Sequence, residues 1–122
     1  MARHNELGAT GEKVAVEYLE GLGWNIVARN FRRPYGEIDI VARETKGALV
    51  FVEVKTVSYG TLYRGEENVH PQKLKRLSRT IQSYLLYTHE EGEWRFDVVV
   101  VELDILTKKA NIRHLDDVII GS

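Results

Sequence analysis

A mixed β-sheet flanked by α-helices, an α/β fold, is what the residue pattern of this 122-residue chain predicts. Three observations point there. Apolar periodicity runs in the order helix, strands, helix, strand, and such an order requires a sheet with helices packed against it. Two strand-like runs, Glu37 to Arg43 and Ala48 to Thr56, are joined by Glu44-Thr45-Lys46-Gly47, a short Gly-containing loop that suits a hairpin. Arg95 to Val101 is almost continuously apolar, as expected of a central strand covered on both faces.

Taken in order, residues from about Leu7 to Leu22 have helical spacing. Leu7, Val14, Ala15, Tyr18, Leu19 and Leu22 share one face, with Lys13, Glu17 and Glu20 opposite. Glu12 falls at the edge of the apolar face. Gly21 and Gly23 are the expected stops. Asn25 to Arg29 reads as a short first strand, and Asn30-Phe31-Arg32-Arg33-Pro34-Tyr35-Gly36 as a basic turn. After the two hairpin strands, residues 57–69 look irregular. His70-Pro71 reads as a helix entry with Pro71 at the first helical position. Leu74, Leu77, Ile81, Tyr84 and Leu85 form that helix's buried stripe. Asn111 to Ile120 is expected to hold a last short strand or turn of helix. Trp24 and Trp94 read as core or core-rim residues.

Composition excludes several functions. Seventeen Lys and Arg against eighteen Asp and Glu leave a formal charge of −1, so there is no global basic field and any nucleic-acid contact must be local. The absence of cysteine rules out disulfides and thiolate metal sites. The four histidines, His4, His70, His89 and His114, lack metal-ligand spacing, which disfavours a His-based zinc site. No Gly-rich phosphate loop is present. The start of the chain is polar, and the longest apolar runs are strand-sized. A cytoplasmic protein without a membrane span, one domain over residues 1–122, is the expectation.

The residues that carry chemistry are Asp39, Glu53 and Lys55, three charges inside runs of Val, Ile and Phe. Burying such groups costs free energy unless they are paired, hydrogen-bonded or bound to metal. Strict alternation puts Glu37, Asp39 and Val41 on one side of their strand, with Ile38, Ile40 and Ala42 on the other. In the next strand Phe51, Glu53 and Lys55 share a side. If the hairpin aligns the two polar sides, Asp39 and Glu53 converge with Lys55 beside them. An isolated Glu-x-Lys on a strand is more often a solvated edge pair contributing only ~0–1 kcal/mol. Here Asp39 at hairpin distance, two strongly apolar strands and the core-edge Glu12 upstream favour a site. Two carboxylates supply the hard oxygen ligands that Mg²⁺ prefers, with Glu12 a candidate further ligand. Lys55 is placed to orient water or stabilise developing negative charge.

Asp39 followed by Glu53-Val54-Lys55 resembles the PD-(D/E)xK nuclease motif. More narrowly, the chain resembles the bacterial UPF0102 family of small endonuclease-like proteins. The matching pieces are Gly11-Glu12, Asn30-Phe31-Arg32, Gly36-Glu37-Ile38-Asp39, Val50 to Thr56, Lys73 and Arg95-Phe96-Asp97-Val98-Val99. The resemblance implies a restriction-endonuclease-like fold with Asp39 and Glu53 as metal ligands and Lys55 as the catalytic lysine. Glu12 is similar to the helix glutamate of archaeal-type junction resolvases. A Mg²⁺- or Mn²⁺-dependent DNA endonuclease is the implied activity, on branched (Holliday-junction-like) or single-stranded DNA. One departure is Val57, where such proteins often carry a basic residue.

Phosphate contacts are expected from Arg29, Arg32 and Arg33 before the acidic strand and from Gln72, Lys73, Lys75, Arg76 and Arg79 on the second helix. These would hold DNA without reading its sequence. Tyr59, Tyr63 and Arg64 lie in the irregular segment, where aromatics can stack on unpaired bases, although a packed loop is the simpler expectation. Cutting both strands of a junction needs two sites, so a homodimer is expected. The rival reading keeps the fold but makes the chain a catalytically weak DNA-binding accessory. A third makes the cluster purely structural, with Lys55 neutralising Asp39 and Glu53.

Overall fold

The computed structural model describes residues 2–59, 71–104 and 106–120, with side chains from Leu7 onward and Pro71 excepted. Its elements follow the order α1 (Ala2–Gly21), β1 (Asn25–Arg33), β2 (Gly36–Arg43), β3 (Leu49–Ser58), α2 (Pro71–Thr88), β4 (Trp94–Asp104) and β5 (Lys109–Leu115). The five strands form one sheet in the order β1-β2-β3-β4-β5, parallel between β3 and β4 and antiparallel elsewhere. This is the mixed, helix-flanked sheet that the periodicity predicts.

Each helix covers one face. Ala15 and Leu19 of α1 close a cluster with Ile40, Ala42, Val50, Val52, Val99 and Val101. Leu77, Ile81 and Tyr84 of α2 close the other with Ile38, Val41, Phe51, Phe96, Val98 and Val100. Residues Phe96 to Val101 of β4 are all buried, because a strand in the sheet interior packs against both layers. Both helices approach the sheet closely at a glycine. A Cβ on Gly11 would stand 1.9 Å from Thr56 Oγ1, and one on Gly36 would stand 2.7 Å from Thr80 Oγ1.

Local signals account for the element ends. Past Gly21, Gly23 donates to the Glu20 carbonyl at 2.9 Å and Trp24 to the Leu19 carbonyl at 3.1 Å, with Gly23 at φ +87°. That is a left-handed helix cap, which glycine adopts without strain. It also leaves Leu22 outside the helix and 44% exposed, not on the buried face expected of it. In the hairpin loop Glu44 and Ala48 close the turn at 3.0 Å, with Gly47 at φ +104°.

Three expectations are corrected. The segment read as a basic turn is strand as far as Arg33, and only Pro34 and Tyr35 turn. Its alternating exposed residues are those of an edge strand, which mimics a loop in composition. Residues 57 and 58, expected to be irregular, continue β3 in register with Glu102 and Leu103. Last, Ile38 does not share a face with Ile40 and Ala42; it packs in the α2-side cluster and they pack in the α1-side one. The break lies opposite an irregular residue of β1. Between the Arg29–Ile40 and Phe31–Ile38 pairs, Asn30 and Asp39 fall opposite each other, and Asn30 has φ +54°. A left-handed residue inside a strand breaks the two-residue alternation, and Asn tolerates that conformation better than most residues. Tyr63, Arg64 and His70 lie outside the described residues, as does the side chain of His4.

Candidate active site

The β2–β3 ladder ends at the Ile40–Val52 pair, and the same register puts Asp39 opposite Glu53 just beyond it. Past the last β2 pair, Val54 N–H donates to Asp39 Oδ2 at 2.8 Å. The Asp39 carboxylate thus sits in the split between two strands. Burial raises its pKa to about 6; the Val54 hydrogen bond opposes the rise, and the charges of Glu53, Glu12 and Glu37 add to it. Among the described residues Asp39 has no ion-pair partner.

The other carboxylates each hold a cation. Glu53 Oε1 lies 3.0 Å from Lys73 Nζ and 3.9 Å from Lys55 Nζ. Glu12 Oε1 accepts from Arg29 Nη2 at 3.0 Å and Nε at 3.3 Å. Glu37 pairs with Arg32 at 2.9 Å. Burial lowers the Lys55 pKa, and the neighbouring Lys73 ammonium lowers it further against the pull of Glu53 and Asp39.

Two clefts flank the split. On the α1 side, a cleft of about 500 Å³ is lined by Glu12, Arg29, Asp39, Val54 and Thr56 among others. On the α2 side, one of about 450 Å³ is lined by Glu53, Gln72, Lys73 and Arg76. A third, about 690 Å³ and open, gathers Arg32, Arg33 and Arg76 around Pro34 and Tyr35. Residues expected to touch nucleic acid therefore come together from β1 and α2, although they are distant in sequence. Arg33 is partly committed to packing: its guanidinium lies 4.2 Å over the Phe31 ring and donates to Ser83 Oγ at 3.2 Å. Arg29, expected with them, turns to Glu12 instead.

Glu12, Asp39 and Glu53 are neighbours but not a ready-made cage. Among the described residues no group of three or more His, Asp or Glu is arranged to hold a metal ion. The physical reason is visible in the ion pairs, since Arg29 draws Glu12 and Lys73 draws Glu53. Lys73 belongs to the cluster, whereas its sequence context suggests only a phosphate contact. No spacing rule joins Lys73, at a helix start, to Glu53 on an earlier strand.

A second polar network lies inside the sheet. Asp97 is fully buried and accepts from Arg95 Nε at 3.0 Å, His114 Nε2 at 2.7 Å and Asp117 N–H at 2.9 Å. His114 Nδ1 lies 2.8 Å from the Tyr18 hydroxyl. Since the carboxylate only accepts, Nε2–H donates to it, which in a neutral imidazole leaves Nδ1 to accept from Tyr18. Burial would raise the Asp97 pKa, but these hydrogen bonds outweigh it and hold it low. The sequence signal was an Asp inside the apolar run Arg95 to Val101.

Fold and cluster together define a small α/β protein with an acidic, lysine-bearing cleft where a mixed sheet splits. The chain belongs to the family described as Uncharacterised protein family UPF0102, whose match covers residues 11–101. A UPF0102 protein of Mycolicibacterium vanbaalenii is 37% identical over 113 residues, 93% of this chain and 88% of that one. Another, of Alkaliphilus oremlandii, is 37% identical over 93% of this chain and 97% of its own. One of Bacteroides thetaiotaomicron is 44% identical over 83% of each. Among solved structures, Pyrococcus furiosus SfsA in complex with Ca²⁺ covers 93% of this chain and 63% of its own, at 14% identity and a TM-score of 0.37. That likeness is too distant to speak for the chemistry of this chain. No helix among the described residues is long and apolar enough to cross a membrane.

Proposed function

We propose that the chain is a Mg²⁺- or Mn²⁺-dependent endonuclease that hydrolyses phosphodiester bonds in branched or single-stranded DNA. One observation carries the reading: the strand register brings Asp39 and Glu53 next to each other where β2 and β3 part, and Asp39 is crowded by carboxylates with no ion-pair partner among the described residues. Hard oxygen donors in that arrangement suit a small divalent ion. Asp39 and Glu53 would hold it, with Glu12 as a further ligand once released from Arg29. When bound, such an ion lowers the pKa of coordinated water and offsets charge at the attacked phosphorus.

The protein's own groups do the rest. Lys55 Nζ, beside Glu53, donates hydrogen bonds to the attacking water or to the phosphate oxygen that gains charge. Arg32, Arg33, Gln72 and Arg76 hold flanking phosphates, fixing position and leaving sequence unread. One chain carries one such cluster, so cutting both strands of a junction takes two copies.

A second reading, a DNA-binding accessory without catalysis, is favoured by the internal cations on Glu12 and Glu53. Titration of Mn²⁺ and a cleavage assay on branched, nicked and single-stranded DNA separate the two. The nuclease reading expects metal binding that Asp39→Ala or Glu53→Ala abolishes, and cleavage lost in Lys55→Ala while DNA binding survives. Wild-type protein that binds DNA and never cuts it with either metal makes the chain an accessory. Protein that binds neither metal nor DNA refutes both.

A further inference from the structure

We propose that Lys73 is a built-in counter-cation that competes with a divalent ion for Glu53 and, once displaced, turns to the phosphate being cut. The inference rests on the nuclease reading of the same site and adds a residue and a step to it.

The geometry favours Lys73 over Lys55 as the mobile partner. Lys73 Nζ is the nearer of the two ammoniums to Glu53 Oε1, at 3.0 Å against 3.9 Å. Its side chain is 37% exposed, whereas that of Lys55 is 20% exposed and rises from the middle of β3. Two ammoniums already share the Glu53 carboxylate. An entering divalent ion adds a third cation at the same oxygen, and the more exposed lysine relieves the crowding by swinging outward.

The helix that carries Lys73 does not need to move. One turn on, Leu77 is buried in the α2-side core. On the same helix, Thr80 packs against Gly36 at the start of β2 so closely that a Cβ there would clash. Only the four-carbon stem must re-orient, within a cleft it shares with Gln72 and Arg76. An ammonium released there lies beside the groups that hold phosphates, and a flexible point charge suits a phosphate oxygen.

Calorimetric titration of Mn²⁺ into the full chain tests the idea. Removing one unit charge about 5 Å from a divalent ion, with water-like screening, corresponds to a gain in affinity on the order of tenfold. Lys73→Ala and Lys73→Met, the latter keeping an apolar stem, are expected to bind Mn²⁺ more tightly by about 5- to 20-fold. Lys73→Arg restores the wild-type affinity, and Lys109→Ala on the far edge strand leaves it unchanged. At saturating Mn²⁺, Lys73→Met cuts DNA more slowly despite holding metal better. Circular dichroism and thermal melting establish that each variant folds. Affinity in Lys73→Met equal to or weaker than wild type overturns the counter-cation role while leaving the nuclease reading intact. Wild-type protein that binds no Mn²⁺ overturns both.

Discussion

Replacing Asp39 by Asn is expected to stabilise the protein at neutral pH, even though it removes a group central to the site. The carboxyl is raised from 3.8 to about 6, first by burial and then by Glu53, Glu12 and Glu37. Folded protein therefore binds the Asp39 proton more tightly than unfolded protein does, and stability falls as pH rises from 3.8 to about 6. Above that window the ionised form carries a penalty of roughly 3 kcal/mol, the free-energy equivalent of a pKa moved from 3.8 to about 6. Asn keeps an oxygen to accept the Val54 N–H and bears no charge. Its amide nitrogen needs a new partner, so the net gain at pH 7.5 is expected to be about 1–3 kcal/mol. Urea unfolding of both proteins at pH 7.5 and pH 4 measures it. The Asn variant should have the higher midpoint at pH 7.5, and its lead should shrink strongly at pH 4. A variant no more stable than wild type at pH 7.5, or a lead of equal size at both pH values, refutes the reasoning.

Four further outcomes follow from the geometry. Gly11→Ala brings a Cβ against Thr56 Oγ1 and should destabilise by about 1–3 kcal/mol, since overpacking outweighs the usual helical gain of Gly→Ala. Denaturation shows this, and pairing it with Thr56→Ala should recover part of the loss. Asn30→Val, at φ +54°, should cost at least about 1–2 kcal/mol while Asn30→Gly stays near wild type, as denaturant midpoints will report. Asp97→Ala strands the half-buried polar ends of Arg95 and His114 and should cost about 3 kcal/mol by urea unfolding at pH 7. Arg76→Ala, at the meeting point of two clefts, should weaken binding to all DNA sequences alike and lower the salt slope of affinity by about one.

Much of the fold was legible because its strongest signals are local. The apolar runs of β3 and β4, the stripe of α2 behind Pro71 and the glycine stop of α1 each follow from a short stretch of chain. The length of β1 was not, since Arg32 and Arg33 on an edge strand have the composition of a turn. The faces of β2 were misread because strict alternation assumes ordinary strand backbone, and Asn30 departs from it opposite Asp39. The neighbourhood of Asp39, Glu53 and Lys55 was legible from hairpin register. The cations that partner Glu12 and Glu53 were not, because Arg29 and Lys73 reach them only once both helices dock. Asp97 carried the same warning as Asp39, a charge in an apolar run. Its partner His114, and the Tyr18 hydroxyl that His114 meets in turn, come from opposite ends of the chain, where no spacing rule reaches.

The departure at Asn30 has a consequence for how copies of this protein meet one another. Strand β1 is an outer strand of the sheet, with β2 as its only strand neighbour among the described residues. A straight outer strand offers its unpaired amides and carbonyls as a template for another chain. Here the register slips between Ile26 and Ala28, Asn30 turns left-handed, and Arg29 and Arg32 stand exposed along the same edge. An incoming strand meets a broken row of donors flanked by the Arg29–Glu12 and Arg32–Glu37 ion pairs, charged groups it would have to strip of water. The same residue that alters the strand beside Asp39 thus also works against sheet-to-sheet aggregation along this edge.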